Sequence, residues 1–269
     1  MLKKYQKIVF MTAFFSLLTT LPFTSFAVPV DIELVLLVDV SSSIDDNEYA
    51  LQTQGYVNAF RNSTLIDNIN GGAIGSIAVS YVEWSSASQQ NVVVEWTEIF
   101  DAESANNFAD AIDNSTRSFI GDRNNTAPGS AINFSIELFG TETGGAIGNG
   151  FESTRQVIDV SGDGNQNRGD TTFTARNTAL SLGIDSINGL AILDNENQGL
   201  PIWYTQNIVG GDNAFLEVAS GFNTFGETVV RKINREVSAV PEPTTLALLA
   251  MGMLGVVMRR KAIPILKHA

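Results

Sequence analysis

A nearly continuous apolar run over residues 32–38 constrains the fold of this 269-residue chain more than any other sequence feature. Only Glu33 interrupts the run, which ends at Asp39. A strand that is covered on both faces has this composition, whereas a half-exposed strand alternates apolar and polar residues. We therefore predict that residues 32–38 form a central strand of a parallel sheet.

The chain between residues 28 and 238 alternates strand and helix patterns. Apolar or alternating segments predict further strands at residues 76–84, 92–96, 157–160, 187–193 and 202–208, the first two as an antiparallel pair. Helical periodicity predicts helices at residues 45–60, 102–112, 131–139, 172–182 and 225–237, and the glycine-rich residues 140–150 are expected to form a loop. This order predicts one α/β domain over residues 28–238, with a doubly wound, mostly parallel sheet and helices on both faces.

The N-terminal end has the composition of a secretory signal. Three lysines precede an apolar run over residues 8–21, and Ser25-Phe26-Ala27 places small residues where a signal peptidase cuts. We predict a signal peptide over residues 1–27. An uncleaved membrane anchor is the alternative, but the apolar run is short and the cleavage signature is present.

The C-terminal end has three parts in order. Pro241-Glu242-Pro243 is followed by apolar residues 246–258 and by the basic cluster Arg259-Arg260-Lys261. Residues 239–261 resemble the PEP-CTERM sorting signal of Gram-negative bacteria. The resemblance implies transient inner-membrane anchoring, a cytoplasmic tail over residues 262–269, and removal by an exosortase-type processing enzyme, in proteins that usually accompany extracellular polysaccharide.

Physical dimensions agree in part with a temporary anchor. A helix over residues 244–258 would be about 22 Å long, short for a hydrocarbon core of about 30 Å. The basic cluster behind it would stay cytoplasmic. We therefore expect an exported protein that resides in the periplasm, at the cell surface or outside the cell after processing.

The distribution of charge excludes several classes of function. All 29 acidic residues lie between Asp31 and Glu242, where only 9 of the 16 basic residues lie, so this stretch carries a net charge of −20. Nucleic-acid binding is not expected, because phosphate contacts need Lys and Arg. The chain has no cysteine, and its single histidine is His268. Thiol chemistry, disulfides and thiolate metal sites are therefore excluded.

The best candidate for a functional site follows the central strand. Ligands of such sheets bind at the carboxyl ends of the strands, where the strand order reverses. Asp39-Val40-Ser41-Ser42-Ser43 has the form D-x-S-x-S at such an end. The motif resembles the metal-ion-dependent adhesion site of von Willebrand factor type A domains, and the resemblance covers most of residues 31–237. It implies that Ser41 and Ser43 bind the metal directly and that Asp39 acts through water.

The same resemblance implies two further ligands. Thr126, in Asn125-Thr126-Ala127-Pro128-Gly129, matches the threonine of a second loop, and Asp163, in Ser161-Gly162-Asp163-Gly164, matches the aspartate of a third. The family more often has threonine where Gly162 stands, and Thr116, Thr141 and Thr143 are rivals for the second loop. Oxygen-only ligands suit a divalent cation, Mg²⁺ first and Mn²⁺ or Ca²⁺ as alternatives. In the family, the metal then holds an acidic oxygen of a partner, here an acidic group of a protein or an extracellular polymer.

Other interpretations of the same residues stay open at this point. Ser43 and Asp46 have the spacing of a capping box, and Thr126 is placed to cap the helix after it. A metal-dependent hydrolase of phosphate or glycan esters would need a carboxylate base such as Asp45 or Asp163. A structural protein of the exopolysaccharide matrix is a third possibility. The D-x-S-x-S motif and two matching loops favour a metal-dependent binding protein that is not an enzyme.

Overall fold

The computed structural model describes residues 27–119, 125–193 and 197–238. The predicted signal peptide, apart from Ala27, and the predicted sorting segment over residues 239–261 lie outside these ranges. Within them, no helix is both long and apolar enough to cross a membrane.

A seven-stranded sheet forms the centre of the molecule. Its strands are β2 (Glu33–Asp39), β3 (Ile77–Trp84), β4 (Gln90–Ile99), β6 (Gln156–Gly162), β7 (Ser186–Ile192), β8 (Gly210–Gly211) and β9 (Leu216–Ala219). Their spatial order is β4-β3-β2-β6-β7-β8, and β9 also pairs with β7. The pairs β2–β3, β2–β6, β6–β7 and β7–β9 are parallel, while β3–β4 and β7–β8 are antiparallel. Two short strands, β1 (Val28–Pro29) and β5 (Phe151–Glu152), pair with each other in a separate parallel sheet.

Burial along the strands explains the sequence patterns. Every residue of β2, β3, β6 and β7 is buried, whereas the edge strand β4 is mostly half-buried or exposed. The prediction that residues 32–38 form a central strand of a mostly parallel sheet is confirmed, and so is the antiparallel pairing of residues 76–84 with 92–96. Continuous burial on both faces is the reason that β2 has no alternation.

In the described part of the chain, seven α-helices cover the two faces of the sheet. They are α1 (Asp46–Phe60), α2 (Ser63–Asn70), α3 (Ala102–Asp113), α4 (Pro128–Leu138), α5 (Thr172–Ser181), α6 (Leu200–Asn207) and α7 (Phe222–Val237). Side chains of α1, α2, α3 and α7 pack on one face, and side chains of α4, α5 and α6 pack on the other. The predicted fold class, a doubly wound α/β sheet with helices on both faces, is confirmed.

Two local predictions need correction, and one strand was not predicted. Residues 202–208, predicted as a strand, lie mostly in α6, because Leu200, Tyr204 and Ile208 at a spacing of four residues bury one helical face. The strand at this edge is β9, which the sequence patterns did not reveal. A 3₁₀ turn over Gly140–Thr143 opens the predicted glycine-rich loop.

Helices α1 and α7 approach each other closely at a glycine. A Cβ atom on Gly55 would lie 2.8 Å from the Phe225 ring and 3.2 Å from the Gly226 Cα. Only glycine permits this backbone approach. The contact fixes α1 against the closing helix α7.

Candidate metal centre

The candidate site lies where the strand order reverses. From β2 the chain continues to β3 on one side, and it returns later to place β6 on the other side. Val38 pairs with Ser161, so β2 and β6 end side by side. Asp39 is the last residue of β2, and Asp163 follows directly after β6. The topology therefore brings two carboxylates from distant parts of the sequence to the same crevice, as expected for such sheets.

Four of the predicted ligands form a chain of contacts. The Ser41 backbone N–H donates to Asp39 Oδ1 at 2.8 Å. The hydroxyls of Ser41 and Ser43 lie 3.3 Å apart, and Ser43 Oγ donates to Asp163 Oδ1 at 2.8 Å. Two hydroxyls and two carboxylates thus converge in one place.

The carboxyl group of Asp39 lies in an electrostatically unfavourable environment. The residue is fully buried, and its Oδ2 atom has no hydrogen-bond partner among the described residues. Burial raises the pKa of Asp39 well above its usual value, and the charge of Asp163 raises it further, although the bonds from Ser41 lower it. A bound cation would offset both unfavourable effects, because it would neutralise the two carboxylates where water cannot.

Thr126 lies beside this cluster in the adjacent loop. Its backbone N–H donates to Asn167 Oδ1 at 2.9 Å, and its carbonyl accepts from the backbone N–H of Asn167 at 3.0 Å. Its hydroxyl oxygen would lie 3.5 Å from a Cβ atom on Gly164. The threonine is therefore fixed against the loop of Asp163. The rival Thr143 bonds to carbonyls at the C-terminal end of α4, and Thr116 is exposed.

The capping interpretations of the two hydroxyl residues are wrong. Asp45 is the N-cap of α1, and it forms a reciprocal capping box with Glu48. The N-cap position of α4 is Ala127, without a side-chain cap. Ser43 and Thr126 are therefore not needed for helix termination. Asp45, the alternative carboxylate base, accepts hydrogen bonds from the first turn of α1.

Arg117 supports the D-x-S-x-S loop, and sequence reasoning did not identify it. Its guanidinium donates to the carbonyls of Val40, Ser41 and Ile44 at 3.1, 3.2 and 2.7 Å. The same side chain lies 5.3 Å from the centre of the Tyr49 ring. One side chain from a distant loop thus holds the backbone that presents both serines. The only sequence signal for Arg117 was that basic residues are few in this acidic chain.

The glycine that departs from the family pattern has a steric cause. A Cβ atom on Gly162 would lie 2.7 Å from Asp39 Oδ2, 2.9 Å from Asp39 Cβ and 2.9 Å from the Tyr204 hydroxyl. Tyr204 is buried, and its hydroxyl also has no hydrogen-bond partner within the described ranges. Tyr204 and Asp39 therefore occupy the space that a side chain at position 162 would fill.

The donor set fits a hard divalent cation. Its members are carboxylate and hydroxyl oxygens, and the buried Oδ2 of Asp39 has no hydrogen-bond partner in the described ranges. No cluster of three or more His, Cys, Asp or Glu side chains that could hold a metal occurs in the part of the chain that the structure describes. The candidate site has only two carboxylates, so its other oxygens come from serine and threonine.

Solved structures share the architecture of this chain. They include proximal thread matrix protein 1 from the mussel byssus with a zinc-occupied MIDAS motif (16% identity, TM-score 0.51, 77% of this chain and 46% of that chain). The pilus adhesin SpaC from Lactobacillus rhamnosus GG matches at 15% identity and TM-score 0.52, over 77% of this chain and 30% of that chain. A von Willebrand factor type A structure from Catenulispora acidiphila matches at 12% identity and TM-score 0.51, over 77% and 43%. This chain spans less than half the length of each.

These similarities define the class of fold, which is that of a von Willebrand factor type A domain. The chain belongs to the family described as "Protein of unknown function (DUF1194)", whose model matches residues 29–241. A second model, the PEP-CTERM protein-sorting motif, matches residues 239–261 and marks an exported protein with a C-terminal sorting signal. No curated protein matches the sequence significantly.

Proposed function

We propose that this exported protein is a metal-dependent adhesion protein, which uses one divalent cation to hold an acidic group of a partner. The observation that carries the proposal is the convergence of Asp39, Ser41, Ser43 and Asp163 around a buried carboxyl oxygen that has no partner among the described residues. With Thr126 in the adjacent loop, these residues would hold the cation. Mg²⁺ is the first candidate, because every donor is a hard oxygen.

The cation supplies a positive charge and a coordination position for an incoming anionic oxygen. The protein residues keep two carboxylates close together, and they fix both serines through the backbone contacts of Arg117. The chain carries a formal net charge of −13, so it repels an acidic partner in the absence of the cation. Binding should therefore depend strictly on the metal.

The neighbours support this choice of function. One solved relative has a zinc-occupied MIDAS motif, and another is a pilus adhesin. The partner we propose is a carboxylate of a protein or of an extracellular polymer. The sorting motif is consistent with transient anchoring in the inner membrane, processing by an exosortase-type enzyme, and a final location at the cell surface or outside it.

Calorimetric titration of Mg²⁺ and Mn²⁺ into the purified protein tests the metal site. We expect about one ion per chain for the wild type and no binding for the Ser41→Ala/Ser43→Ala double variant. Ser42→Ala is the matched control, since Ser42 lies in the same loop but is exposed and outside the proposed ligand set. Equal binding by the double variant and the wild type would overturn the assignment.

A second assay separates partner binding from metal binding. Beads that carry carboxylate-rich peptide or acidic polysaccharide should retain the protein in Mg²⁺ and release it with a chelator. Retention that persists in the chelator would contradict a metal bridge. Self-association without metal would instead favour a structural role in the matrix.

A further inference from the structure

A buried ionic cluster lies on the sheet face opposite the α4–α6 layer, away from the candidate metal centre. Lys232 of α7 places Nζ 2.5 Å from Asp159 Oδ1 of β6 and 2.5 Å from Glu236 Oε1, one helical turn further along. All three side chains are 0% exposed. The Lys232 amine is therefore in contact with two carboxyl groups in a part of the interior that bulk solvent does not reach.

The surroundings hold these groups in place. Asn188 of β7 donates to Glu236 Oε1 at 2.9 Å, and it accepts from the Phe215 backbone N–H at 3.0 Å. The Lys232 ammonium lies 5.4 Å from the centre of the Phe215 ring. Lys232 and Asp159 are in close contact, but neither carboxyl oxygen of Asp159 makes a well-aligned hydrogen bond with a described residue. Asp159 is therefore held against the amine without being saturated as an acceptor.

An ion cluster of this composition is unfavourable as it stands. One cation and two carboxylates leave an uncompensated negative charge in a site closed to bulk solvent, where desolvation is costly. Burial raises the pKa of Asp159 to about 7, and Glu236 contributes to this increase, although Lys232 opposes it. Near neutral pH, a substantial fraction of Asp159 is thus a neutral carboxylic acid, the form that an amine can attack.

We propose that Lys232 and Asp159 condense to an intramolecular isopeptide bond, with Glu236 as the general base. The proposal rests on the position of Nζ between the two carboxyl groups at contact distance and on the exclusion of water from all three. Close, fixed placement of the reacting groups can remove a large part of the activation barrier of such reactions. Asn188 keeps the Glu236 carboxylate directed at the amine.

The reaction balances without any further reagent. Glu236 takes one proton from the Lys232 ammonium, and the free amine attacks Cγ of the neutral Asp159 acid. The new C–N bond forms, the C–OH bond breaks, and the hydroxyl leaves with a second amine proton as water. Glu236 ends as a neutral acid beside a neutral amide. Nothing is oxidised or reduced, and the buried charges are removed.

The bond would tie the closing helix to a central strand. Asp159 lies in β6, and Lys232 lies in α7, which packs mainly on α1. An exported chain without cysteine has no disulfide with which to make such a link. A Lys–Asp amide would provide a covalent cross-link between two elements that are distant in the sequence.

Peptide mass spectrometry of the purified full-length protein, denatured and digested with trypsin, tests the proposal directly. Condensation predicts a branched peptide that joins residues 156–168 to residues 232–235, with a mass one water below the sum of the two. Lys232 would also resist cleavage on its C-terminal side. Recovery of only the linear peptides 156–168 and 233–235 would overturn the proposal and leave an ion pair.

The role of Glu236 is tested with Glu236→Gln, measured on the folded, monodisperse fraction. Gln cannot take the amine proton, so the linear peptides should replace the branched one. Glu227→Gln is the matched control, because Glu227 is an exposed residue of the same helix. An unchanged yield of branched peptide in folded Glu236→Gln protein would refute the assignment of Glu236 as the base.

Discussion

Substitution of Gly162 by alanine should damage the metal site while the fold persists. The added Cβ atom would lie 2.7 Å from Asp39 Oδ2 and 2.9 Å from both Asp39 Cβ and the Tyr204 hydroxyl. Real Cβ atoms do not approach other atoms this closely, so Asp39 has to move by about half an ångström. The Asp39 Cβ atom is close to the backbone, and rotation of the carboxyl group alone does not relieve the clash.

Two magnitudes follow from these distances. Overpacking of this kind costs about 1–3 kcal/mol of unfolding free energy. Displacement of a ligand's carboxylate by a neighbouring residue lowers metal affinity about 10- to 100-fold. We expect Gly162→Ala to lose Mg²⁺ affinity by that factor in calorimetric titration and to unfold at a lower urea concentration.

Gly164→Ala provides the matched control in the same loop. Its Cβ atom would meet Thr126 Cγ2 at 3.4 Å and Thr126 Oγ1 at 3.5 Å, which are ordinary contact distances. This variant should keep the Mg²⁺ affinity of the wild type within about threefold. If both variants bind Mg²⁺ as the wild type does, Asp39 is not a ligand or its position is unimportant, and the reasoning fails.

Three further predictions concern residues around the sheet. Arg117→Ala removes the guanidinium nitrogen that donates to the carbonyls of Val40, Ser41 and Ile44, and it should weaken both Mg²⁺ binding and stability, the latter by about 1–3 kcal/mol in urea unfolding. An unchanged affinity would show that the loop holds its shape alone. The pKa of Glu33 is raised from 4.5 to about 8, first by burial and then by Glu142. Between these two values the folded state retains a proton that the unfolded state loses, so the unfolding free energy should fall by up to about 1.4 kcal/mol per pH unit as the pH rises. Glu33→Gln should flatten that dependence in urea unfolding at pH 5 to 8, and an equally steep slope would contradict the assignment. Gly55→Ala should lower the unfolding free energy by about 1–3 kcal/mol through the clash with Phe225 and leave Mg²⁺ affinity unchanged; a loss of affinity would reveal coupling between the helix packing and the site.

The sequence predicted the centre of the fold better than its edges. The apolar run of β2 has one simple interpretation, because only a strand buried on both faces contains so few polar residues. Residues 202–208 contain many strand-forming side chains, and the burial of Leu200, Tyr204 and Ile208 on one helical face decides the outcome instead. Short edge elements such as β9 bury too few side chains to leave a pattern.

The candidate site also contains residues that the sequence could predict and residues that it could not. The D-x-S-x-S motif is local, and the loops of Thr126 and Asp163 could be placed through the resemblance to a known family. Arg117 could not be found in this way, because its three acceptors are backbone carbonyls more than 70 residues earlier in the chain. Lys232 and Glu236 share the buried helical face of Phe225 and Val229, so periodicity could have marked them as buried charges, but not their contact with Asp159.

The position of Lys232 determines how a mechanical load would pass through the molecule. The PEP-CTERM motif begins at residue 239, two residues after α7 ends at Val237, so a pull on this end of the chain would first act on this helix. Lys232 and Glu236 lie in the last two turns of α7, where Lys232 attaches the helix to Asp159 in the middle of β6. A pull on α7 would therefore be passed to a central strand that is paired with β2 on one side and β7 on the other. The C-terminal end of the same strand presents Asp163 to the candidate metal site, so the helix that leads to the sorting motif and the candidate site share one strand.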